Sequence, residues 1–398
     1  MLLLLGLAFD AVTAWLLLRM LRQFRGYESI GPEHAAAGEW PKLAVIVPAR
    51  NEAALIGRCL AGLLAQDYPF EALSLLLVDD NSEDGTAEIA LRLAGADPRF
   101  RLIRGAPLPP GWTGKPFACQ QGADAAEAEW LCFMDADTQA APALLRAATA
   151  QARRRGLDML SLEPFQELET WPERLVVPCG FYLIAASQDL GRVNDPAAPE
   201  AVANGQFILI RRAAYGAIGG HAAVRTEFSE DTALARLVKR AGFRLAVLGA
   251  ERLIRTRMYR GWRSVWHGVS KNAVDIAGGV APTLLIAGGG LAYALAALGL
   301  TGLAAARLLA GPSGSNVAGA ALLAAGLVAV LGLHVAGARH FRIPIRYGLA
   351  FPAGYMLAFA LALNSARLAL RGRIPWKGRV YGEGDGANAL RPSGPRGR

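Results

Sequence analysis

The chain is predicted to fold into an α/β layered domain that is joined to membrane helices. Short apolar runs alternate with helical patterns between residues 42 and 255. Polar or acidic motifs follow several of these runs, as ligand-binding residues follow the strands of an open α/β sheet. Hydrophobic residues make up 53% of the 398 residues, and their excess is concentrated in residues 1–21 and 281–371. This uneven distribution is typical of a protein that combines a water-exposed domain with membrane segments.

Residues 1–22 are predicted to form an N-terminal membrane anchor. The apolar stretch 1–21 is long enough to span a bilayer. Its positive charge follows the apolar run, whereas a cleaved signal peptide begins with basic residues, so we favour an uncleaved anchor. The arginines that follow place the next segment in the cytoplasm. Residues 23–41 are polar and predict a linker.

Five apolar runs within residues 42–255 predict strands. A continuous apolar run is typical of a parallel strand that is buried on both faces. The expected strands are 43–47, 73–78, 130–134, 158–162 and 206–210. One helix is expected over 53–66, and a second, capped by Asn81 or Ser82, is expected to continue to Leu93. Four scattered cysteines without a CxxC pair give little support to a zinc site or a disulfide framework.

Residues 256–278 predict an amphipathic helix at the membrane interface. Trp262 and Trp266 share one helical face, while Arg260 and Lys271 fall elsewhere. An ordinary helix packed on the domain has the same pattern, so that alternative stays open. Residues 281–371 contain three apolar stretches, near 282–309, 317–338 and 347–366, and each is long enough to span. The tail 372–398 is basic and is expected to be partly disordered.

The positive charge of the chain is arranged as in a membrane protein. The net charge of +9 comes largely from arginines and lysines beside the hydrophobic segments, so we expect no nucleic-acid partner. The number of spans creates a conflict, because four spans with residues 42–255 in the cytoplasm put the basic tail outside. One stretch, such as 347–366 with Pro352 and Asn364, could instead be re-entrant or interfacial.

Four motifs, taken in chain order, predict one ligand-binding crevice. The first three end strand-like runs, and the carboxyl ends of parallel strands meet at one edge of a sheet. A crevice lined by carboxylates suits a divalent metal and a phosphate-containing ligand. The motifs are Pro48-Ala49-Arg50-Asn51-Glu52, Asp79-Asp80-Asn81-Ser82, Asp135-Ala136-Asp137 and Glu230-Asp231.

Each motif alone also has an ordinary structural explanation. Asp135 and Asp137 could form a solvated acidic loop, and Asp79-Asp80 could belong to a helix-capping turn. The pair Glu230-Asp231 suits the N-terminus of a helix for dipole reasons alone. Taken together, we interpret the Asp135-Ala136-Asp137 carboxylates as a site for one divalent ion, because alternation on an extended chain puts both on one side. One carboxylate of Glu230-Asp231 could then serve as general base.

A lysine in a glycine- and tryptophan-containing segment is a further candidate. Lys115 ends the sequence Gly111-Trp112-Thr113-Gly114-Lys115, which predicts a flexible loop able to bring an ammonium group to a diphosphate. The alternative is an ordinary surface lysine, which is the more common situation for a lysine outside any motif. The segment does not match the Walker A pattern.

On these motifs, residues 43–275 resemble the inverting family 2 glycosyltransferases with a GT-A fold. The resemblance implies that Asp135 and Asp137 form a DxD motif that binds the ribose and Mg²⁺ or Mn²⁺, and that Asp231, beside Glu230, is the catalytic base. It implies that Pro48, Ala49, Glu52 and Asp80 hold the uridine of a UDP-sugar. Arg50, Asp79 and Lys115 are assigned to the same nucleotide-sugar site. The residues assigned to the acceptor or membrane side are Gly205, Gln206, Arg260, Trp262, Trp266 and Lys271.

A narrower resemblance concerns the membrane-bound carotenoid and hopanoid-associated branch of this family. It rests on residues 109–115, 193–196, 258–260 and 270–272, and on Trp376-Lys377-Gly378-Arg379. The QxxRW motif of the processive polysaccharide synthases is absent, which favours single sugar transfer. The resemblance implies a hydrophobic lipid acceptor, and with the predicted anchor we expect a multi-pass inner-membrane protein whose catalytic domain faces the cytoplasm.

Other functions remain open at this point. Transfer to a polyprenyl phosphate would need a basic cluster, which Arg255, Arg257 and Arg260 could supply. Polysaccharide or glycolipid synthesis is a further enzymatic alternative. A membrane subunit that binds nucleotide sugar without turnover is the alternative outside the enzymes.

Overall fold

The computed structural model describes residues 1–35, 40–311, 313–377 and 379–382. These residues form two compact units. The helical unit comprises Met1–Gly26, Leu168–Asp189 and Tyr259–Arg371. The α/β unit comprises Tyr27–Glu167, Leu190–Met258 and the segment that starts at Gly372.

The helices and strands follow one another along both units. The helices are α1 (Leu2–Gly26), α2 (Ile56–Leu64), α3 (Thr86–Ala94), α4 (Gly114–Ala125), α5 (Leu144–Arg154), α6 (Trp171–Ser187), α7 (Leu190–Val193), α8 (Arg212–Ala217), α9 (Glu230–Arg240), α10 (Gly261–Ala277), α11 (Val280–Ala310), α12 (Gly314–His340), α13 (Ile345–Leu349) and α14 (Phe351–Leu370). The strands are β1 (Leu43–Ala49), β2 (Leu73–Asp79), β3 (Phe100–Arg104), β4 (Trp130–Met134), β5 (Thr138–Ala140), β6 (Met159–Glu163), β7 (Phe165–Gln166), β8 (Phe207–Arg211), β9 (Leu245–Gly249), β10 (Ile254–Thr256), β11 (Arg373–Trp376) and β12 (Arg379–Gly382).

A seven-stranded mixed sheet forms the centre of the α/β unit. Its strand order is β3-β2-β1-β4-β8-β6-β9, and β8 runs antiparallel to both of its neighbours. The remaining pairs are parallel. Strands β2, β1 and β4 are adjacent, so the first three sequence motifs follow neighbouring strands. A small sheet of order β5-β10-β7 and the antiparallel hairpin β11–β12 complete the unit.

Both faces of the central sheet are covered, which explains why its inner strands β1 and β4 are continuous apolar runs. Leu43, Val45 and Val47 of β1 pack in one buried cluster that includes residues of α2 and α5. The alternate residues Ala44 and Ile46 pack in a second cluster that includes residues of α4 and α9. The predicted α/β layered fold is therefore confirmed.

The predicted strands are all present, but details of the helices differ. Helix α2 begins at Ile56, three residues after the predicted start at Ala53. The predicted capping of α3 by Asn81 or Ser82 is wrong, because the N-cap residue is Gly85, with φ of 87°. The Ser82 hydroxyl instead accepts a hydrogen bond from the backbone of Asn51, so the loop after β2 is held to the loop after β1.

The segment 23–41, predicted to be a linker, is partly structured. Helix α1 continues to Gly26. Beyond it, the backbone N–H of Ile30 donates to the carbonyl of Gly249 over 2.7 Å. Ser29 forms a parallel bridge with the same glycine. Residues 29 and 30 therefore extend the edge of the sheet beside β9.

Among the described residues of the helical unit, four helices are long and apolar enough to cross a membrane. Their bounds overlap the apolar stretches noted in the sequence: Leu2–Gln23, Val280–Ala310, Gly314–His340 and Phe351–Leu370. Pro352 lies at the first turn of α14, where its missing N–H costs no helical hydrogen bond.

Helices α6 and α10 are joined by an aromatic stack and a buried carboxylate. Helix α6 was not among the predicted elements. Trp171 stacks on Trp262 with ring centroids 5.8 Å apart, and Trp262 lies 5.4 Å from Trp266. The Glu173 carboxylate caps α6 and accepts a 2.8 Å hydrogen bond from the backbone of Gly261 at the start of α10. This contact aligns the two helix N-termini.

Candidate active site

The loops that follow β1 and β2 are bonded to each other at the carboxyl edge of the sheet. The Glu52 backbone donates to Thr86 Oγ1 over 2.8 Å, and the Glu83 backbone donates to Asn51 Oδ1 over 2.9 Å. Asn51 and Asn81 have φ of 54° and 55°, a left-handed conformation that asparagine tolerates better than most residues. The two motifs predicted to bind a nucleotide therefore form one continuous surface.

Asp79 and Asp80 are buried at the end of β2. The Asp79 carboxylate accepts a hydrogen bond from the Ser82 backbone at 3.3 Å, as expected for a turn. The Asp80 carboxylate is bound at both oxygens by the guanidinium group of Arg379, over 2.6 and 2.9 Å. Arg50 donates to the Asp80 carbonyl over 2.6 Å. Arg379 belongs to hairpin β11–β12, and no site role was predicted for it.

Lys115 joins the third and fourth sequence motifs. Its ammonium group lies 2.7 Å from a carboxylate oxygen of Asp135 and 2.7 Å from one of Glu230. The prediction of a flexible loop is wrong for this residue, because Lys115 lies in the first turn of α4. Two hydrogen bonds from Thr113 to the carbonyl of Arg225, of 2.7 and 3.1 Å, hold the preceding turn.

The charge of Lys115 is stabilised by its surroundings. Burial by itself disfavours an ammonium ion, but the negative charges of Asp135, Glu230 and Asp231 outweigh that effect. The pKa of Lys115 is therefore held well above its ordinary value. The lysine is a fixed cation at the junction of the two acidic motifs.

Asp137 has an oxygen available for a ligand. Asp135 and Asp137 lie in the turn between β4 and β5, and Asp137 Oδ1 is buried with no hydrogen-bond partner among the described residues. Burial raises the pKa of Asp137 to about 7, and the negative charges of Asp135 and Glu52 act in the same direction. A buried, unsatisfied carboxylate oxygen beside a second carboxylate fits a divalent cation.

The protein ligands of such a cation are few. The described part of the chain contains no group of three or more His, Cys, Asp or Glu side chains suited to a metal ion. Two carboxylates are nevertheless enough for Mg²⁺ or Mn²⁺ when substrate phosphates and water complete the coordination, which is a common arrangement for Mg²⁺. The residues at this site therefore fit the predicted metal.

Asp231 is oriented by two backbone hydrogen bonds at the start of α9. Its two carboxylate oxygens accept from the N–H groups of Gly205 and Thr232, each over 2.7 Å. Burial raises its pKa to about 7, and the negative charge of Glu230 adds to this shift. A carboxylate with a pKa near neutrality is suited to act as a general base.

The neighbouring residues Gly205 and Gln206 have different surroundings. A Cβ atom at Gly205 would lie 2.8 Å from Lys115 Nζ and 3.0 Å from Asp231 Oδ2, so this position leaves no room for a larger residue. The side chain of Gln206 is buried and donates to Thr256 Oγ1 over 3.0 Å. Gln206 thus belongs to a buried polar network rather than to an exposed surface.

The structure brings only part of the predicted set together. Three separate groups of contacts lie within the α/β unit. They are Arg50 with Asp80, and with Glu52 through Lys377; Lys115 with Asp135 and Glu230; and Gly205 with Asp231. The remaining acceptor-side candidates belong to the helical unit: Arg260, Trp262, Trp266 and Lys271. Two residues without a predicted site role, Lys377 and Arg379, contact Glu52 and Asp80. Their motif had been noted in the sequence but assigned to the tail.

Known proteins share both the sequence pattern and the fold. The family model described as Glycosyl transferase family 2 matches residues 44–215. The chain is 28% identical, over 258 residues, to 4,4'-diaponeurosporenoate glycosyltransferase of Staphylococcus aureus, covering 62% of this chain and 64% of the relative. The matched part of the chain therefore spans less than two thirds of that relative's length. The mannosyltransferase PcManGT from Pyrobaculum calidifontis, solved with GDP-Man and Mn²⁺, superposes with a TM-score of 0.55 at 20% identity, over 93% of this chain and 99% of that one.

These similarities are all to glycosyltransferases. Residues 44–215 match the family 2 glycosyltransferase model, in line with the resemblance noted in the sequence, and the mixed α/β sheet resembles the fold of the GT-A neighbour PcManGT. Within that class its sequence is similar to an enzyme that is named for a carotenoid acid, 4,4'-diaponeurosporenoate.

Proposed function

We propose that the protein is an inverting glycosyltransferase that transfers a sugar from a UDP-sugar to a hydrophobic lipid of carotenoid or hopanoid type at the inner membrane. The observation that carries this proposal is the contact of Lys115 with both Asp135 and Glu230. It brings the DxD carboxylates and the first turn of α9 within the reach of one side chain. A donor diphosphate and a catalytic base can then act on the same sugar.

In this proposal the donor is held at the carboxyl edge of β1, β2 and β4. Glu52 and Asp80 bind the nucleoside with Pro48 and Ala49, next to Arg50 and Asp79. Asp135 and Asp137 would hold Mg²⁺ or Mn²⁺, which would supply positive charge to offset the negative charge of the departing UDP. Lys115 contributes positive charge near the diphosphate. Its ion pairs fix the position of that charge before the donor binds.

In the proposed transfer step, Asp231 accepts the proton of the acceptor hydroxyl. The acceptor hydroxyl gives its proton to Asp231 as its oxygen attacks the anomeric carbon, and UDP leaves from the opposite face, so the configuration is inverted. A carboxylic acid acceptor is already ionised near neutral pH. For such an acceptor Asp231 would orient the nucleophile instead of deprotonating it.

The lipid acceptor is supported by the helical unit of the same chain. Among the described residues, four of its helices are long and apolar enough to cross a membrane. Its three neighbouring tryptophans, Trp171, Trp262 and Trp266, include one exposed side chain, Trp171. Tryptophan is enriched where proteins meet the membrane–water interface. A donor site tethered to a bilayer has direct access to acceptors that partition into lipid. The arginines at the C-terminal end of α1, Arg19, Arg22 and Arg25, favour the cytoplasmic side for the segment that follows.

The test is sugar transfer by the purified full chain in detergent. UDP-glucose, UDP-N-acetylglucosamine and GDP-mannose are supplied with a carotenoid acid, a carotenoid alcohol, a hopanoid or a polyprenyl phosphate, with and without Mn²⁺ or Mg²⁺. We expect nucleotide release that requires metal and is stimulated by one of the apolar lipids. The product is identified by mass spectrometry.

Two carboxylate variants complete the experiment. Asp137→Ala should abolish the metal-stimulated rate, whereas Asp67→Ala, which removes an exposed carboxylate paired with Arg146, should leave it unchanged. Turnover with the polyprenyl phosphate and with none of the apolar lipids would contradict the proposed acceptor. It would identify a polyprenyl phosphate as the acceptor instead. Nucleotide-sugar binding without turnover on any acceptor would favour a non-catalytic subunit.

A further inference from the structure

The C-terminal hairpin β11–β12 brings two cations to the carboxylates of the donor site. Arg379 binds both oxygens of Asp80, a planar two-bond geometry that is among the strongest ion pairs. The ammonium group of Lys377 contacts the Glu52 carboxylate and also donates to the Arg50 carbonyl over 3.0 Å. Glu52 and Asp80 are the carboxylates that the proposed function assigns to the nucleoside.

The turn of the hairpin is held in an unusual conformation. Lys377 has φ of 44°, a left-handed value that a lysine rarely adopts. Its carbonyl oxygen accepts a 3.0 Å hydrogen bond from Arg50 Nε, so Lys377 and Arg50 bond to each other in both directions. Backbone strain of this kind persists where the surrounding contacts fix it, and it is commonly found at functional sites.

The two cations also offset the charge of the carboxylates in the hairpin's contact region. Asp80 is buried, with 7% of its side chain exposed, and an unpaired carboxylate there would be costly. Without the hairpin, an incoming diphosphate would meet a site dominated by negative charge.

We propose that the hairpin is part of the donor site, and that Lys377 and Arg379 supply the positive charge with which the site binds the diphosphate of the nucleotide sugar. The proposal rests on the proposed function, because it takes a nucleoside diphosphate as the ligand. It makes the segment after the last apolar helix a binding element. The selectivity of the site for charged nucleotides over nucleosides then depends on residues about 300 positions away from the first motif.

The test compares the binding of UDP and of uridine to the full chain in detergent with Mn²⁺, by titration calorimetry. Lys377→Ala and Arg379→Ala should each weaken UDP binding about tenfold, as expected for the loss of a charged hydrogen bond. Uridine binding should change much less. Arg379→Lys keeps the charge and should restore most of the UDP affinity. Arg101→Ala removes an exposed cation from the same unit and should have no effect.

Each other result overturns the proposal in a recognisable way. Tighter UDP binding by Lys377→Ala and Arg379→Ala would show that the hairpin competes with the donor and is displaced when the donor binds. Equal losses for UDP and uridine would make it a support for the nucleoside pocket. If Lys377→Ala and Arg379→Ala bind UDP as tightly as Arg101→Ala does, the hairpin does not contribute to the donor site. Failure of the unchanged protein to bind UDP would refute the proposed donor, and with it this proposal.

Discussion

Asp231 combines a fixed orientation with a pKa near neutrality, and both properties bear on catalysis. Because burial and Glu230 raise its pKa to about 7, the side chain is largely protonated below that pH and cannot accept a proton. With an alcohol acceptor we expect kcat/KM to fall about tenfold per pH unit below pH 7 and to level off above it. The measurement is a pH–rate profile of the full chain between pH 5 and 9.

The matched variant for this profile is Asp231→Asn. It keeps the size of the side chain and the oxygen that can accept from the Gly205 backbone, but it removes the base. An alcohol acceptor predicts a severe loss of rate at every pH, and a carboxylic acid acceptor predicts a modest loss. A wild-type profile that is flat through pH 7 with an alcohol acceptor would contradict the assigned role.

Gly205 is a second residue at which the geometry is restrictive. In Gly205→Ala the new methyl group would lie 2.8 Å from Lys115 Nζ, so the ammonium must move away from Asp135 and Glu230. We expect kcat to fall about ten- to hundredfold, because small displacements of catalytic groups have effects of this size. The melting temperature should change little, since the end of a lysine side chain is flexible. Gly216→Ala, at a position with open space, is the control.

Helix α4 carries Lys115, and its position depends on a close contact with the sheet. A Cβ atom at Gly122 would lie 2.4 Å from Ile46 Cγ2 and 3.1 Å from Val78 Cγ2. We therefore expect Gly122→Ala to destabilise the protein by about 1–3 kcal/mol, the usual cost of overpacking. Thermal unfolding in detergent measures this effect. Combining it with Ile46→Ala should recover part of the loss, and additive losses would show that the two positions are not coupled.

Strands β1 and β4 could be predicted because each is an uninterrupted apolar run. Strand β3 was not predicted, because Arg101 and Arg104 interrupt its apolar pattern. Strand β4 matches the prediction residue for residue, since burial on both faces leaves no polar position within it. The capping of α3 could not be predicted, because Ser82 bonds to Asn51 in another loop. Lys115 was assigned to a loop for a similar reason. Its place in α4 depends on contacts of Thr113 with a segment far along the chain.

The candidate site residues could be predicted where a motif follows a strand. They could not be predicted where a segment distant in sequence contacts the site. Asp80 and Arg379 are 299 residues apart in sequence, and no local pattern links them. The motif around Lys377 and Arg379 was visible, but a basic tail after apolar stretches has an ordinary explanation in membrane topology. Only the tertiary contacts associate these two cations with Glu52 and Asp80.

The contacts of the hairpin determine on which side of a membrane the C-terminal segment lies. The hairpin belongs to the α/β unit, so Arg379 and the sheet lie on the same side of any membrane that the helices cross. We predict that cysteines introduced at exposed Arg101 and at Arg371 react with a membrane-impermeant maleimide from the same face of sealed vesicles. The four native cysteines are buried, which keeps the background low. Labelling from opposite faces would contradict the hairpin contacts.

This placement limits how the chain can be threaded through the bilayer. For any membrane that these helices cross, the hairpin contacts require an even number of crossings between Met258 and Arg373, which excludes three full crossings by α11, α12 and α14. Helix α14 is our candidate for a segment that stays on one side, because its Asn364 donates to Ser270 of α10 over 3.0 Å, although it packs on α11 as well as on α6 and α10. If α11 and α12 cross in opposite directions, the arginines at 339, 342, 346, 367 and 371 all lie on the same face as the α/β unit. The conflict between the four apolar segments and the distribution of positive charge then disappears.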